Sequence, residues 1–297
     1  MGTPNYAKQI LDTLIKADDM EVVLVITQPD KPVGRKRVLT PPPLKTLALE
    51  SSIEVLQPNR LTDDGIKEAI ENASPDFIIV AAFGQILPQS ILDIAPCINL
   101  HASILPQYRG ASPIQQSLLN DDKITGVTSM MMEKGLDTGD ILEIIEFEIP
   151  KDMRLFALTD RLTKDACSLT LSTIREFDNI TPIKQDDTKA SLCKKIKKSD
   201  GEIDFADAKE IYNKYRAFEG WPGIFVSNGT KLDGVSLVDE DSSNTPMQIV
   251  SIDKSGVVVG CAKGRLKIAL LQPPSKKPMG AKAYCVGRGV SVGDRLF

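Results

Sequence analysis

The sequence predicts an α/β protein: a Rossmann-like parallel-sheet N-terminal domain followed by a small antiparallel β-barrel (OB-like) C-terminal domain. Three observations carry this expectation. Short β-branched runs alternate with helically spaced apolar residues over the first half of the 297 residues, the pattern of βαβ units. The texture then turns polar and lysine-rich through ITPIKQDDTKASLCKKIKKSDGEID, residues 180–204. Beyond it, brief strands are separated by glycines and polar turns. The expected boundaries are residues 1–180 for the first domain, 181–204 for a linker and 205–297 for the second domain.

Taken in order, a helix is expected over residues 4–17, then a strand at EVVLVIT (21–27). Helices follow at 42–51 and 62–72, then a second continuous apolar run, DFIIVAA (76–82). Such runs suit strands covered on both faces. CINLHAS (97–103), ITGVTSMMM (124–132) and ILEIIEFEI (141–149) read as further strands, the last alternating like a half-exposed edge. A helix at 112–120 lies between the first two of these. A longer helix at 154–176 carries Leu155, Leu158, Leu162, Cys167, Leu169 and Leu171 at spacing that suits packing on the sheet. The second domain is expected to open with a helix near 206–218 and continue as GIFVS, DGVSLVD, PMQIVSID, GVVVGCA and GRLKIALLQP.

Composition narrows the function classes. Apolar residues make up 42% and charged residues 26%, which supplies an ordinary globular core. No apolar run approaches the roughly 20 residues that a membrane span needs. The N-terminus lacks the basic and apolar regions of an export signal, so a cytoplasmic location is expected. The five cysteines form no CxxC pair, and a single histidine excludes a poly-histidine metal centre. Residues 1–183 hold 17 Lys/Arg against 26 Asp/Glu, whereas residues 184–297 hold 19 against 14. That asymmetry fits either a polyanion-binding module on an acidic partner or ordinary variation between two surfaces.

Asn99 and His101 stand two apart on a strand, so both side chains point to one face. The strand runs into the loop of NLHASILPQYRG (99–110), at the carboxyl end where open α/β sheets place ligand sites. A converging amide and imidazole can polarise a carbonyl and manage a proton. The same pair can also satisfy a buried strand end, and the residues alone leave both readings open. In MEKGLDTGD (132–140), Gly135 and Gly139 suit a tight loop whose backbone approaches a ligand. Asp137 and Asp140 there are turn formers or acidic groups of a site, and DxxD lacks the ligand count of a calcium loop. Spacing alone does not bring Asp137 to His101.

The combination of NLHASILPQYRG with a downstream GLDTGD closely resembles the folate-dependent formyltransferases. The resemblance implies Asn99, His101 and Asp137 as the catalytic set, and Ser103, Ile104, Leu105 and Pro106 along the folate site. AAFGQILP (81–88) resembles the family's loop beside the pterin ring, which adds Phe83, Gly84, Ile86 and Leu87. RAFEGWPG (216–223) resembles the opening of the family's C-terminal domain; Trp221, beside Pro222, is expected in the core rather than as a base-stacking platform. QPDKPVGRKRVLTPPPLK (28–45) carries Lys31, Arg35, Lys36, Arg37 and Lys45 against Asp30 alone, and its Pro/Gly content reads as a loop. It is either a solvated loop or an anion-binding one. It resembles the loop that tRNA-directed members insert near the acceptor arm, which makes Arg35, Lys36 and Arg37 the tRNA-binding candidates.

The implied activity transfers the formyl group of 10-formyltetrahydrofolate, as co-substrate, to the amino group of methionyl-initiator tRNA. No metal or membrane partner is expected, and the chain is expected to act as a monomer. The lysines of KKIKK (194–198) would contact tRNA phosphates, which position without reading sequence. Alternatives are the same chemistry on a nucleotide-sugar or glycinamide ribonucleotide amine, and a non-catalytic tRNA- or folate-binding protein. A dinucleotide oxidoreductase is disfavoured because no GxGxxG follows a strand. In the family a buried strand precedes the turn that here reads Gly2-Thr3-Pro4, so the natural product is expected to be several residues longer. An intact mass of the native protein equal to that of Met1–Phe297 would refute this.

Overall fold

Helically spaced apolar residues and continuous β-branched runs order the first half of the chain. The computed structural model describes residues 1–34 and 36–297. The elements are α1 (Asn5–Ile15), β1 (Val25–Ile26), β2 (Lys31–Val33), β3 (Val38–Thr40), α2 (Pro43–Glu50), β4 (Val55–Leu56), α3 (Ile66–Asn72) and β5 (Ile78–Val80). They continue as α4 (Gln89–Leu92), β6 (Cys97–His101), β7 (Arg109–Gly110), α5 (Pro113–Leu119), β8 (Ile124–Met131), β9 (Ile141–Glu148), α6 (Leu155–Arg175) and β10 (Leu192–Cys193). The contacts divide the chain into two units. The first comprises Met1–Pro113, Lys123–Ile149 and Ala157–Lys194; the second comprises Ile114–Asp122, Pro150–Phe156 and Lys195–Phe297.

In the first unit the sheet is mixed rather than wholly parallel. β1 pairs with β4 and β5 with β6 in parallel, but β8 runs antiparallel to β6 and β9 antiparallel to β8. The short 132–140 connection between β8 and β9 permits only an antiparallel pair, since a parallel one needs a long crossover. β9 lies at the edge, as its alternation predicts. Met1 and Gly2 bridge β1 and β5: Gly2 N donates to Ile26 O, and Ala81 N donates to Met1 O. Beside them is a cavity of about 800 Å³ lined by residues including Val22, Leu24, Phe77 and Ile79. Met1 N donates to Ile79 O.

Ile26, Ile78, Val80, Phe83, Leu87 and Cys97 share one apolar core. α6 buries Leu158, Leu162, Ala166 and Leu169 along one stripe, while Cys167 and Leu171 are half-buried. Its Thr173 hydroxyl is joined to Ser129 and Glu143, which seats the helix on the sheet.

The second unit contains α7 (Ala208–Ala217), β11 (Ile224–Phe225), β12 (Lys231–Ser243), β13 (Ile249–Asp253), β14 (Gly256–Gly260), β15 (Lys263–Gln272), β16 (Met279–Gly280) and α8 (Ala281–Arg288). Asp207 caps α7 by accepting from the amides of Lys209 and Glu210. Its strands are antiparallel in the order β11-β12-β15-β14-β13, with β16 beside β15. Among the described residues β11 and β13 do not pair, so the sheet does not close into the expected barrel. Arg216, 1% exposed, donates to Asp121 and to the Met153 carbonyl, which explains why two segments from earlier in the sequence belong to this unit.

Thr128, on β8 opposite His101, ties the sheet to the loop after β6. Its hydroxyl donates to Ser103 O at 2.7 Å and accepts from Leu105 N at 3.1 Å. Thr128→Val keeps the shape but leaves a buried carbonyl and amide unpaired. Urea denaturation is expected to show a loss of about 1–3 kcal/mol.

Candidate active site

β6 is buried at all five positions, yet two of its side chains are an amide and an imidazole. Asn99 and His101 are 8% and 6% exposed, and both approach one carboxylate. Asn99 Nδ2 lies 3.5 Å from Asp137 Oδ1, and His101 Nδ1 lies 3.7 Å from Asp137 Oδ2. The Gly110 amide donates to Asp137 Oδ2 at 2.8 Å, the short distance of a charge-assisted bond. Two segments far apart in sequence therefore meet at one point.

The other ring nitrogen of His101 is committed. Nε2 lies 2.9 Å from the Tyr108 carbonyl, which can only accept, so Nε2 carries a hydrogen. The nitrogen that faces Asp137 is Nδ1, and the two form an ion pair when the ring is protonated. Cys193 Sγ also donates to the Tyr108 carbonyl, at 3.2 Å, and accepts from the Ser112 amide at 3.3 Å. Burial raises the Cys193 pKa, which keeps its donor hydrogen in place.

The 181–204 stretch, expected as a linker, is hydrogen-bonded to the site over its first half. Ile183 exchanges backbone hydrogen bonds with Ile141. Ser191 accepts from the Arg109 amide through its carbonyl and from the Tyr108 amide through its hydroxyl. β10 then pairs with β7, placing Cys193 opposite Gly110. Gly110 has φ +124°, and a Cβ there would meet the Cys193 carbonyl at 2.3 Å, so this approach requires glycine. Gln185, Ser191 and Cys193 escape a sequence reading because a polar, lysine-rich segment shows no periodicity, and Arg109 because its partners lie in that segment.

The other candidates fall into two groups. Ser103 is buried and donates to Gln107 O at 2.6 Å, while Leu105 packs with Met130 and Ile141, so both are held within the protein. Ile104 and Pro106 are partly exposed beside them. In the 82–87 loop Phe83 and Leu87 are each 3% exposed and belong to the core. Gly84 has φ +80° with open space around it, and Ile86 is 79% exposed. Val80 is opposite Asn99 in the parallel pair, so this loop leaves the sheet beside His101.

The basic segment is a hairpin rather than an irregular loop: β2 and β3 pair from Lys31–Thr40 to Val33–Val38. Lys36 and Arg37 at its turn are exposed; Arg35 lies outside the described residues. Lys45 is instead tied to Asp30 at 2.9 Å. Trp221 is 57% exposed, so the expected core position is corrected: the chain turns at Gly220 and Gly223, both at positive φ, and leaves the indole outside. Among the described residues, no group of three or more His, Cys, Asp or Glu side chains could hold a metal ion.

An α/β sheet with an amide, an imidazole and a carboxylate at one strand end suits acyl-group transfer, and comparison gives the class. The chain belongs to the formyl transferase family, matching "Formyl transferase" over residues 1–174 and "Formyl transferase, C-terminal domain" over residues 195–289. Its relatives include the methionyl-tRNA formyltransferase of Sulfurovum sp. (strain NBC37-1), 70% identical over all of this chain and 98% of the relative. The methionyl-tRNA formyltransferase of a Nitratiruptor species is 52% identical over the same shares. The fold is also that of an N-formyltransferase from Helicobacter canadensis, with TM-score 0.68 and 21% identity over 91% of this chain and 97% of that one.

Proposed function

We propose that the chain transfers the formyl group of 10-formyltetrahydrofolate to the α-amino group of methionine on initiator tRNA. The meeting of Asn99, His101 and Asp137 around one point carries the chemistry. The full-length identity to enzymes named for methionyl-tRNA carries the choice of acceptor. The amine attacks the formyl carbon and the carbonyl oxygen takes up negative charge. Asn99 Nδ2 and a protonated His101 Nδ1 donate to that oxygen. Collapse forms the new amide and breaks the bond to the folate nitrogen. Over the reaction one proton passes from the amine to that nitrogen, and Asp137 and His101 are the groups placed to carry it.

Ile104, Pro106, Gly84 and Ile86 offer surface to the folate, with Ser103 and Leu105 shaping the wall behind them. Thr138 Oγ1 is buried without a protein partner one residue from Asp137, a group that a bound substrate can satisfy. Lys36, Arg37 and the neighbouring Arg35 take the acceptor arm, and the basic lysines of 194–198 contact phosphates. Residues 205–297 form the tRNA-binding domain, a partly open sheet of the OB kind. One chain supplies the whole catalytic set, which a monomer satisfies, and its five unpaired thiols suit the cytoplasm.

A radiolabelled formyl-transfer assay offering charged initiator tRNA, charged elongator tRNA and an amino sugar tests the reading. Initiator tRNA is the expected acceptor, and preference for the sugar overturns it. His101→Ala is expected to lower kcat on the order of 10²–10³-fold, as for loss of one oxyanion donor. The Lys36→Ala, Arg37→Ala pair is expected to raise KM for tRNA while sparing folate hydrolysis; equal loss of both activities counts against the hairpin's role.

A further inference from the structure

Gln185 stands in a segment whose sequence reads as linker, yet it is 6% exposed. Every hydrogen-bonding site of its amide that faces the active loops is used. Oε1 accepts from Arg109 Nε at 3.0 Å and from Arg109 Nη2 at 2.8 Å. Nε2 donates to the Asp137 carbonyl at 3.0 Å and to the Gly139 carbonyl at 2.7 Å. A guanidinium only donates and a carbonyl only accepts, so the partners force this orientation of the amide.

The bonds close a ring. Asp137 takes the Gly110 amide through its carboxylate; Gly110 follows Arg109; Arg109 holds Gln185; Gln185 returns to the Asp137 carbonyl. Asp137 has φ +53°, in the left-handed region that a non-glycine residue occupies only when its surroundings enforce it. Gln185 grips the carbonyls on both sides of Thr138, so it fixes the turn that aims the carboxylate at His101. The ion pair from Arg109 to Asp187 does less, because Asp187 is 77% exposed.

We propose that Gln185 is a positioning residue for formyl transfer, acting through Asp137 and held in turn by Arg109; this rests on the reading of Asp137 as catalytic. The test is Gln185→Glu, which keeps the acceptor for Arg109 but turns an oxygen toward the two carbonyls. Gln185→Met, of similar volume, removes both halves of the interaction. The experiment compares kcat and KM for charged initiator tRNA and for 10-formyltetrahydrofolate with thermal melting, in wild-type and Asp137→Asn backgrounds.

Either folded variant is expected to lose kcat about 10–100-fold, as when an outer partner of a working group is lost, with both KM values within about 3-fold. In the Asp137→Asn background the further loss should be under about 2-fold, because the residue being aimed has already been disabled. Wild-type kcat in a folded Gln185 variant overturns the proposal. So does a full, multiplicative loss in the Asp137→Asn background, and so does failure of both variants to fold, which makes Gln185 a general structural residue. Wild-type kcat in Asp137→Asn alone instead removes the catalytic reading of Asp137, an outcome separate from the others.

Discussion

The bond from the Gly110 amide to the Asp137 carboxylate is the direct backbone-to-carboxylate tie between the two loops that build the site. One loop follows β6 and is also tied to β8 through Thr128; the other joins β8 to β9. Without that bond the carboxylate would still sit in its turn, held toward His101 only by the longer Asn99 contact and by Gln185 behind the turn. The short distance, 2.8 Å, and the ionised acceptor make it stronger than a neutral backbone contact. Asn99 adds a longer contact from the strand itself, at 3.5 Å. The site is therefore a crossing point, with a rigid strand on one side and two mutually braced loops on the other.

The same economy governs the imidazole. One backbone carbonyl, that of Tyr108, accepts from both His101 Nε2 and the Cys193 thiol. The histidine is thereby assigned its tautomer by the main chain, and the thiol shares in fixing the carbonyl that does so. Tyr108 itself stands at φ +60°, and its amide is held by the Ser191 hydroxyl. Local strain here is sustained by hydrogen bonds from a segment some 80 residues later in sequence, as the Ser191 contact shows.

Much of this was legible in the sequence where periodicity or a strand end carried the signal. The helices at 5–15, 43–50, 155–175 and 208–217 follow the spacing of their apolar residues within two residues at each end. Asn99 and His101 share a face because strand geometry demands it. The meeting with Asp137 was not readable from spacing and came only from the resemblance, since loop closure leaves no periodic trace. β2, β3 and α8 were missed for related reasons: the hairpin is built from Pro- and Gly-rich sequence, and α8 follows a turn near the end of a strand-rich domain. Parallel pairing was over-extended because β-branched runs look alike in either direction. Gln185 was invisible for the simplest reason: a glutamine among lysines and aspartates reads as solvated until its partners are known.

In the proposed function chemistry and capture make opposite demands on burial, and the residues assigned to them in the first unit differ accordingly. Asn99, His101 and Arg109 are each under 10% exposed, where a lower local dielectric strengthens every contact. The hairpin turn keeps Lys36 and Arg37 in water, where a cation costs nothing to maintain until a phosphate arrives. Residues 1–183 carry nine more acidic than basic side chains, 26 against 17, so their summed field opposes a polyanion. Screening resolves the conflict, because charges more than about 8 Å away contribute little at physiological salt. On the proposed role of the hairpin, what an approaching nucleic acid meets is the local sign there, not the total, and Lys45 is kept out of that reckoning by its bond to Asp30 at the hairpin's base. An acidic domain can in this way admit an anionic substrate at one edge while the rest of its surface repels misplaced approaches.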